Sequence, residues 1–296
     1  MPSLFSKKSL VDENSFIDVD VEPVKSEYKE SSKQSDQNPF KDPIVICLPG
    51  KSFSGEFLQS YTNLITTFLQ NNIPFVVSTI YNPNIYFCRN AILGGNVTNG
   101  KNQKPFNGKL KYSYLLWLDS DIIFTPQNIK DLITEAQKYD FVSGLYSLAN
   151  GQNFATVEFF DNNYLKENGL FQFLTPEEVS KKKAPFPVAY TGLGFCMMKY
   201  GVIESLQYPW FKPKFIQVDD ITELASEDTS LCINLSTKGI LPYVCPNIIV
   251  GHQKTFIISP PENDERRRVQ LDDGYTPRDD IFKDTVEDDN IHDFAS

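Results

Sequence analysis

The sequence is short of several things, and each shortage closes off a class of function. No run of 18 apolar residues occurs in its 296 positions, so no membrane-spanning helix is expected. The opening stretch "MPSLFSKKSLVDENSF" lacks the apolar centre of a secretory leader. Positive charge is scarce: 28 Lys and Arg stand against 38 Asp and Glu, a net charge of -10. Such a chain has no general attraction for nucleic acid or an anionic membrane. An anionic substrate therefore needs a local positive site, such as a metal ion. Cysteine is limited to Cys47, Cys88, Cys196, Cys232 and Cys245, with no C-x-x-C pair. That odd, scattered set argues against a disulfide framework or a zinc site and for a reduced, cytoplasmic setting. Neither G-x-G-x-x-G nor a P-loop lysine motif occurs, so a dinucleotide fold or a P-loop NTPase has no support.

What is present suffices for a proper core, with 41% hydrophobic and 13% aromatic residues. One large domain or two small ones can be built from that. Residues 1–41 are polar, of mixed charge and without periodicity, and read as a disordered arm. Residues 42–258 hold nearly all the apolar periodicity. Beyond Pro260-Pro261, with "DERRR", "LDDGYTPRDD" and "VEDDN", the chain reads as an acidic tail.

Within the middle region strands alternate with helices. "PIVICLP" (43–49) is a continuous apolar run of the kind covered on both faces. Ser54 is placed to cap a helix from Gly55 to Gln70, whose Phe57, Leu58, Tyr61, Leu64, Ile65, Phe68 and Leu69 recur at helical spacing. "PFVVSTI" (74–80) is the next strand, "YFCRNAIL" a short helix carrying Arg89 and Asn90, and "YLLWLD" a third strand. Thr125 caps a helix with Pro126 at its first position and Ile129, Leu132, Ile133 and Ala136 on one face. "FVSGLYS" (141–147) is a further strand, followed by a long irregular segment, 148–190. This alternation predicts an α/β sandwich around a largely parallel sheet.

Three places carry chemistry. Asp119 and Asp121, in "LLWLDSDII", sit at the carboxyl end of an apolar strand, where open α/β sheets bind ligands. Asp-x-Asp alone is weak, since Asp18-Val19-Asp20 repeats it in the polar arm. A solvated strand end accounts for the pair, and so does a divalent cation such as Mn²⁺ or Mg²⁺, which prefers hard oxygen ligands and substrate phosphate. In "ASEDTSLCINLSTKGI", Ser226 reads as an N-cap, with Glu227 and Asp228 in the first turn. Acids are favoured there by the helix dipole, and a carboxylate there can also serve as a general base. In "NIIVGHQKT", His252 follows a strand and is a plausible metal ligand; the other histidine, His292, lies in the acidic tail. The glycines of "YTGLGFCMMKYGVIESL" (190–206) read either as a bulge or as a close approach of backbone to a sugar or acceptor.

Taken in order, a Pro-Gly loop after the first strand, "LWLDSDI", "TGLGFCMMKYGVIESL", "SEDTSLC" and "GHQK" resemble a GT-A fold glycosyltransferase of the family-2 type, over residues 43–256. The resemblance implies a Rossmann-like α/β/α sandwich with a mostly parallel sheet. It also implies transfer of a sugar from a nucleotide-diphosphate sugar to a glycan, lipid or protein acceptor. It implies Asp121 as the direct Mn²⁺ or Mg²⁺ ligand, and Asp119 on the ribose or on the metal through water. His252 completes the metal site, Asp228 is the base of an inverting reaction, Pro49, Gly50 and Ser52 line the nucleotide pocket, and Arg89 reaches the diphosphate. A retaining reaction does not need Asp228. The sequence departs from the pattern where "PGKSFSG" and "TIYNPN" lack acidic residues, which leaves the nucleotide open. Residues 94–113 are a candidate lid or acceptor loop. A sugar-nucleotide pyrophosphorylase, which needs a Gly-rich basic loop after the first strand, fits poorly. A non-catalytic carbohydrate-binding or scaffold protein on the same fold is the other alternative.

Overall fold

The computed structural model describes residues 40–255 and the backbone of 256–258 and 269–271. Residues 1–39 of the expected arm and most of the expected tail therefore lie outside the described residues, whereas Phe40, at the end of that arm, is buried with its ring edge-on to Tyr114. The chain runs β1 (Ile44–Pro49), α1 (Gly55–Gln70), β2 (Phe75–Ile80), α2 (Ile85–Ile92), β3 (Tyr114–Leu118), β4 (Ile122–Ile123), α3 (Pro126–Ala136) and β5 (Phe141–Leu145). Short pieces follow: β6 (Thr156–Val157), α4 (Asn162–Asn168), α5 (Pro176–Ser180), β7 (Phe186–Pro187) and β8 (Tyr190–Thr191). After β9 (Phe195–Lys199) come the hairpin β10 (Phe215–Val218) and β11 (Ile221–Leu224), α6 (Glu227–Ser236), β12 (Tyr243–Ile249), β13 (Gly251–His252) and β14 (Phe256–Ile258). Within the acidic tail, β15 (Val269–Leu271) pairs antiparallel with β14.

The seven-stranded sheet has the order β2-β1-β3-β9-β5-β12-β7. Neighbours β1/β2, β1/β3 and β5/β12 are parallel, whereas β9 runs against β3 and β5, and β7 against β12. The sheet is thus mostly parallel, with one reversed strand in its middle. Successive side chains of a strand point to opposite faces, and the core divides accordingly. Ile44, Ile46, Leu116, Leu118, Phe195 and Met197 pack with α1 and α3, while Val45, Cys47, Leu115, Trp117, Cys196 and Met198 pack with α2 and α6. Helices cover both faces, which is the expected α/β/α sandwich and the reason β1, β3 and β5 are buried from end to end.

Local signals set the helix starts. The Ser54 hydroxyl accepts from the Phe57 amide at 3.0 Å, and Thr125 forms a reciprocal capping box with Asn128 ahead of Pro126. The buried stripe of α1 is narrower than its apolar spacing suggests, because Leu58 and Leu69 are exposed. All five cysteines are free and buried. Residues 94–113 do not lie over the strand ends that carry Asp119. The Ser113 amide donates to Pro43 O and the Tyr200 amide to Ser113 O, both at 2.9 Å, so the insertion closes the opposite end of the sheet. No helix among the described residues is long and apolar enough to cross a membrane.

Candidate active site

Strand direction brings the site together. β3 delivers Asp119 at its carboxyl end beside the exit of β1. There the two loops touch: a Cβ placed on Gly50 would lie 2.8 Å from Ser120 Cβ, so only glycine lets the Pro49-Gly50 corner pack against the Asp119-Ser120-Asp121 turn. Because β9 is reversed, its start reaches the same edge, and the Asp119 amide donates to Gly194 O at 3.0 Å. Ser52 is exposed on the loop after Gly50, where Lys51 Nζ stands 5.7 Å from the Tyr81 ring centroid.

Asp121 and His252 meet through the two-stranded ribbon of β4 and β13, in which Gly251 pairs with Ile123 and His252 with Ile122. The Gln253 amide donates to Asp121 O at 2.7 Å and locks the register. His252 Nε2 then lies 3.0 Å from Asp121 Oδ2, across 131 residues of sequence. Its Nδ1 is 2.6 Å from Ser147 O, an acceptor that assigns the Nδ1 proton. In the neutral ring Nε2 then keeps a lone pair facing a carboxylate, an arrangement that calls for a cation or a proton between them. A carboxylate oxygen and an imidazole nitrogen are donors that a first-row divalent ion such as Mn²⁺ would accept, whereas Mg²⁺ prefers oxygen ligands alone. Lys254 Nζ is 3.1 Å from the same Oδ2. Burial pushes the Asp121 carboxyl up, but His252 and Lys254 outweigh it and hold the group below its ordinary value. No three His, Cys, Asp or Glu side chains among the described residues cluster closely enough to hold an ion unaided.

Asp119 faces a different partner. Both of its oxygens lie 3.2 Å from Arg89 Nη2, and Arg89 Nε donates to Glu227 Oε1 at 2.9 Å. Arg89 is 2% exposed and stacks on Trp117, with 5.2 Å from Cζ to the ring centroid. Burial works against its charge, and Asp119 and Glu227 outweigh that cost. The guanidinium expected to reach a diphosphate is thus committed to two carboxylates, leaving Nη1 without an acceptor among the described residues. Glu227 carries the opposite tension: burial, with Asp228 adding to it, pushes its carboxyl up to about 7 against the pull of Arg89.

Asp228 opens α6 beside this pair. Ser226 does not cap the backbone; its hydroxyl donates to Asp228 Oδ1. Oδ1 also accepts from the Thr229 amide at 2.8 Å, and Oδ2 accepts from the Tyr190 hydroxyl at 3.1 Å. Burial and the neighbouring Asp228 push the Tyr190 phenol far up, so it remains a donor. Three donors fix the carboxylate, and Oδ2 still has room for one further hydrogen bond. The glycines of the 190–194 stretch have a packing explanation. A Cβ on Gly192 would lie 2.0 Å from the Tyr146 hydroxyl, and Tyr146 accepts from the Gly194 amide at 3.1 Å. The close approach here is that of Tyr146, whose ring also sits edge-on to His252 with centroids 5.0 Å apart.

Tyr146, Tyr190 and Ser147 were not singled out by sequence reasoning, and Glu227 was placed in the first turn of α6 without being paired with Arg89. Only Glu227 had a usable signal, because an arginine in the apolar helix "YFCRNAIL" needs a buried acid.

No family model and no curated protein matches the chain. Among solved structures, it is similar to a mycobacterial protein at 12% identity and a TM-score of 0.38, covering 78% of this chain and 84% of that one. It is similar to S. aureus TarS 1-349 at 11% identity and a TM-score of 0.35, covering 71% and 60%. A third is a glycosyltransferase involved in the glycosylation of the major capsid of PBCV-1, at 13% identity and a TM-score of 0.27, covering 55% and 64%. The chain thus spans under two thirds of the length of the last two. The candidate residues are read from the chain's own geometry.

Proposed function

We propose that this protein is a metal-dependent, inverting glycosyltransferase that uses a nucleotide-diphosphate sugar and an acceptor hydroxyl. The observation that carries the reading is the 3.0 Å pairing of His252 Nε2 with Asp121 Oδ2, with the Nδ1 proton already spent on Ser147 O, at the strand end where α/β sheets bind ligands. Asp121 and His252 would hold Mn²⁺ or Mg²⁺, and such an ion, when bound, neutralises a diphosphate and makes it a better leaving group.

This chain's own residues account for the rest. Lys254 places a fixed positive charge beside the same carboxylate. Arg89 holds Asp119 at the strand end and, through Glu227, holds the start of α6. Asp228 accepts the acceptor's hydroxyl proton as that oxygen bonds to the anomeric carbon. The carbon–oxygen bond to the diphosphate breaks on the opposite face, and its electron pair leaves with the diphosphate. General-base assistance of this kind contributes about 10²- to 10⁴-fold.

The test is a donor-by-donor screen with Mn²⁺ that reads release of free nucleoside diphosphate. Release from one donor, abolished by EDTA and by Asp121→Ala, supports the reading and names the donor. Silence with every donor, together with no metal-dependent thermal shift from any nucleoside diphosphate, leaves the non-catalytic binding protein as the function.

A further inference from the structure

The two edges of the seven-stranded sheet are built differently. One edge strand, β7, is two residues long and ends in Pro187, which has no N–H to offer. Short strands and proline are devices by which sheets protect their edges. The other edge strand, β2, has six residues, and they pair with β1 in unbroken register from Ile44↔Phe75 to Pro49↔Ile80. It contains no proline and no charged residue, and no described strand pairs with its outer side.

That outer side follows from the inner one. The Ile44 amide donates to Pro74 O at 2.9 Å and the Gly50 amide to Ile80 O at 3.4 Å, so these two carbonyls face β1. Backbone groups alternate in direction along a strand. Phe75, Val77 and Thr79 therefore turn their N–H and C=O groups outward. Side chains alternate between the faces in the same way. Phe75 lies on the α1 face, its ring centroid 5.8 Å from that of Phe68. Ser78 lies on the α2 face, where its hydroxyl donates to Ile92 O at 2.7 Å. Val77 is thus on the α1 face and Val76 and Ile80 on the α2 face, and all three are 38–40% exposed.

Charge is missing from the whole neighbourhood. No Asp, Glu, Lys or Arg occurs from residue 57 to residue 88, in a chain of which 22% is charged. That stretch holds nearly all of α1, all of β2 and the first half of α2. Single exposed valines need no explanation. An uncharged edge of this length does, because its row of unpaired N–H and C=O groups is a template for another strand.

The strand is complementary to itself. Two copies that each carry a net charge of -10 repel one another, and an uncharged face is where they can meet. Two-fold symmetry brings the same patch of each copy together, which sets two β2 strands antiparallel. Pairing Val77 with Thr79 of the second copy, and Thr79 with its Val77, matches outward groups to outward groups. The same register sets Val76 opposite Ile80 and Phe75 opposite Tyr81, giving apolar cross-strand pairs on both faces. A shift of one residue would set outward groups against inward ones. A shift of two would put Val76 opposite Ser78 and Ile80 opposite Pro74.

We propose that β2 is the contact between two copies of this chain, joined edge to edge and antiparallel in that register, so that one continuous sheet runs through both. Because β1 is parallel to both β2 and β3, the Asp119 edges of the two copies lie at opposite ends of the joined sheet, and neither copy's site is completed by the other. The inference goes beyond sugar transfer and holds whether or not the chain performs it.

Sedimentation velocity of the full chain across the micromolar range should show a reversible monomer–dimer equilibrium. Added salt should not weaken it, since no ion pair crosses the contact. Val77→Pro removes an outward N–H and leaves the bonds to β1 in place. Ile80→Lys sets a charge against Val76 of the other copy. Each variant, checked by circular dichroism for an unchanged fold, should raise the dimer dissociation constant at least about tenfold. Leu224→Lys, at an exposed leucine of the β10–β11 hairpin, should leave it unchanged. The Val77 and Thr79 amides should exchange slowly with D₂O in the wild-type dimer and rapidly in Ile80→Lys. A chain monomeric at tens of micromolar, a dimer indifferent to both β2 variants, or one lost with Leu224→Lys would each overturn the proposal. So would slow exchange of those amides in a monomer, which would assign the edge to another part of the same chain.

Discussion

Arg89 Nε and Glu227 Oε1 are joined at 2.9 Å across 138 residues of sequence. The same guanidinium holds Asp119, so one buried cation ties the acidic turn after β3 to the first turn of α6. Removing one member of a buried ionic group strands the others without a partner, at a cost of about 3–5 kcal/mol. Arg89→Ala should lower stability by about that amount, read by urea unfolding. Arg89→Lys keeps the charge but not the fork that reaches two carboxylates, and should recover less than half of the loss. Full recovery by lysine would mean that charge alone, without bridging, explains the arrangement.

The raised Glu227 carboxyl fixes the sign of a pH effect. Its folded value, about 7, lies above its ordinary 4.5, so between those values the folded state binds more protons than the unfolded one. The contribution is fully present below about 4.5 and is lost as pH rises through about 7. The melting temperature of the wild type relative to Glu227→Gln should therefore fall as pH rises across that window. A relative gain by the wild type would show that Arg89 keeps the carboxylate ionised throughout.

His252→Ala should raise the Mn²⁺ concentration required for half-maximal turnover at least about tenfold, while Asp228→Asn should leave that concentration unchanged and cut turnover by about 10²-fold or more. If both variants shift the metal requirement equally, the division of labour between them is wrong.

Gly192→Ala should destabilise by about 1–3 kcal/mol through overpacking, because its Cβ would fall 2.0 Å from the Tyr146 hydroxyl. Tyr146→Phe removes that oxygen, so the double variant should lose less than the sum of the two single losses, by at least about 0.5 kcal/mol. Strict additivity would place the strain elsewhere.

Much of the sandwich could be read from the sequence because its signals are local. Ser54 and the Thr125-Pro126 pair mark helix starts within a single turn of chain, and "PIVICLP" and "YLLWL" announce strands buried on both faces. Asp119, Asp121 and His252 stood out from their position after apolar strands, and the fold brings the last two within 3.0 Å of each other. What stayed hidden depends on distant partners. The apolar pattern of "FCMMK" is the same in either strand direction, so the reversal of β9 left no trace in it. Residues 94–113 look like any polar insertion until Ser113 is seen to bond to Pro43 at the other end of the sheet. Arg89 reads as a cation free to reach a diphosphate until Glu227 is found beside it, and Gly192 reads as a bulge until Tyr146 fills the space above it.

The reversed strand also decides what can change in this protein and what cannot. β5 ends and β9 starts on the edge that carries Asp119, and between them the chain meets the sheet only where β7 pairs with β12. Residues 146–194 therefore leave from and return to that edge, and on the way they bring Ser147 to His252 and Tyr190 to Asp228. The stretch between β6 and β7, residues 158–185, contains no strand, so it can change length without shifting the register of the sheet. Related chains that keep β1, β3, α6 and the β4–β13 ribbon are expected to differ most here, and a graft meant to redirect acceptor choice has its natural boundaries at Val157 and Phe186, which leaves Tyr146, Ser147 and Tyr190 in place.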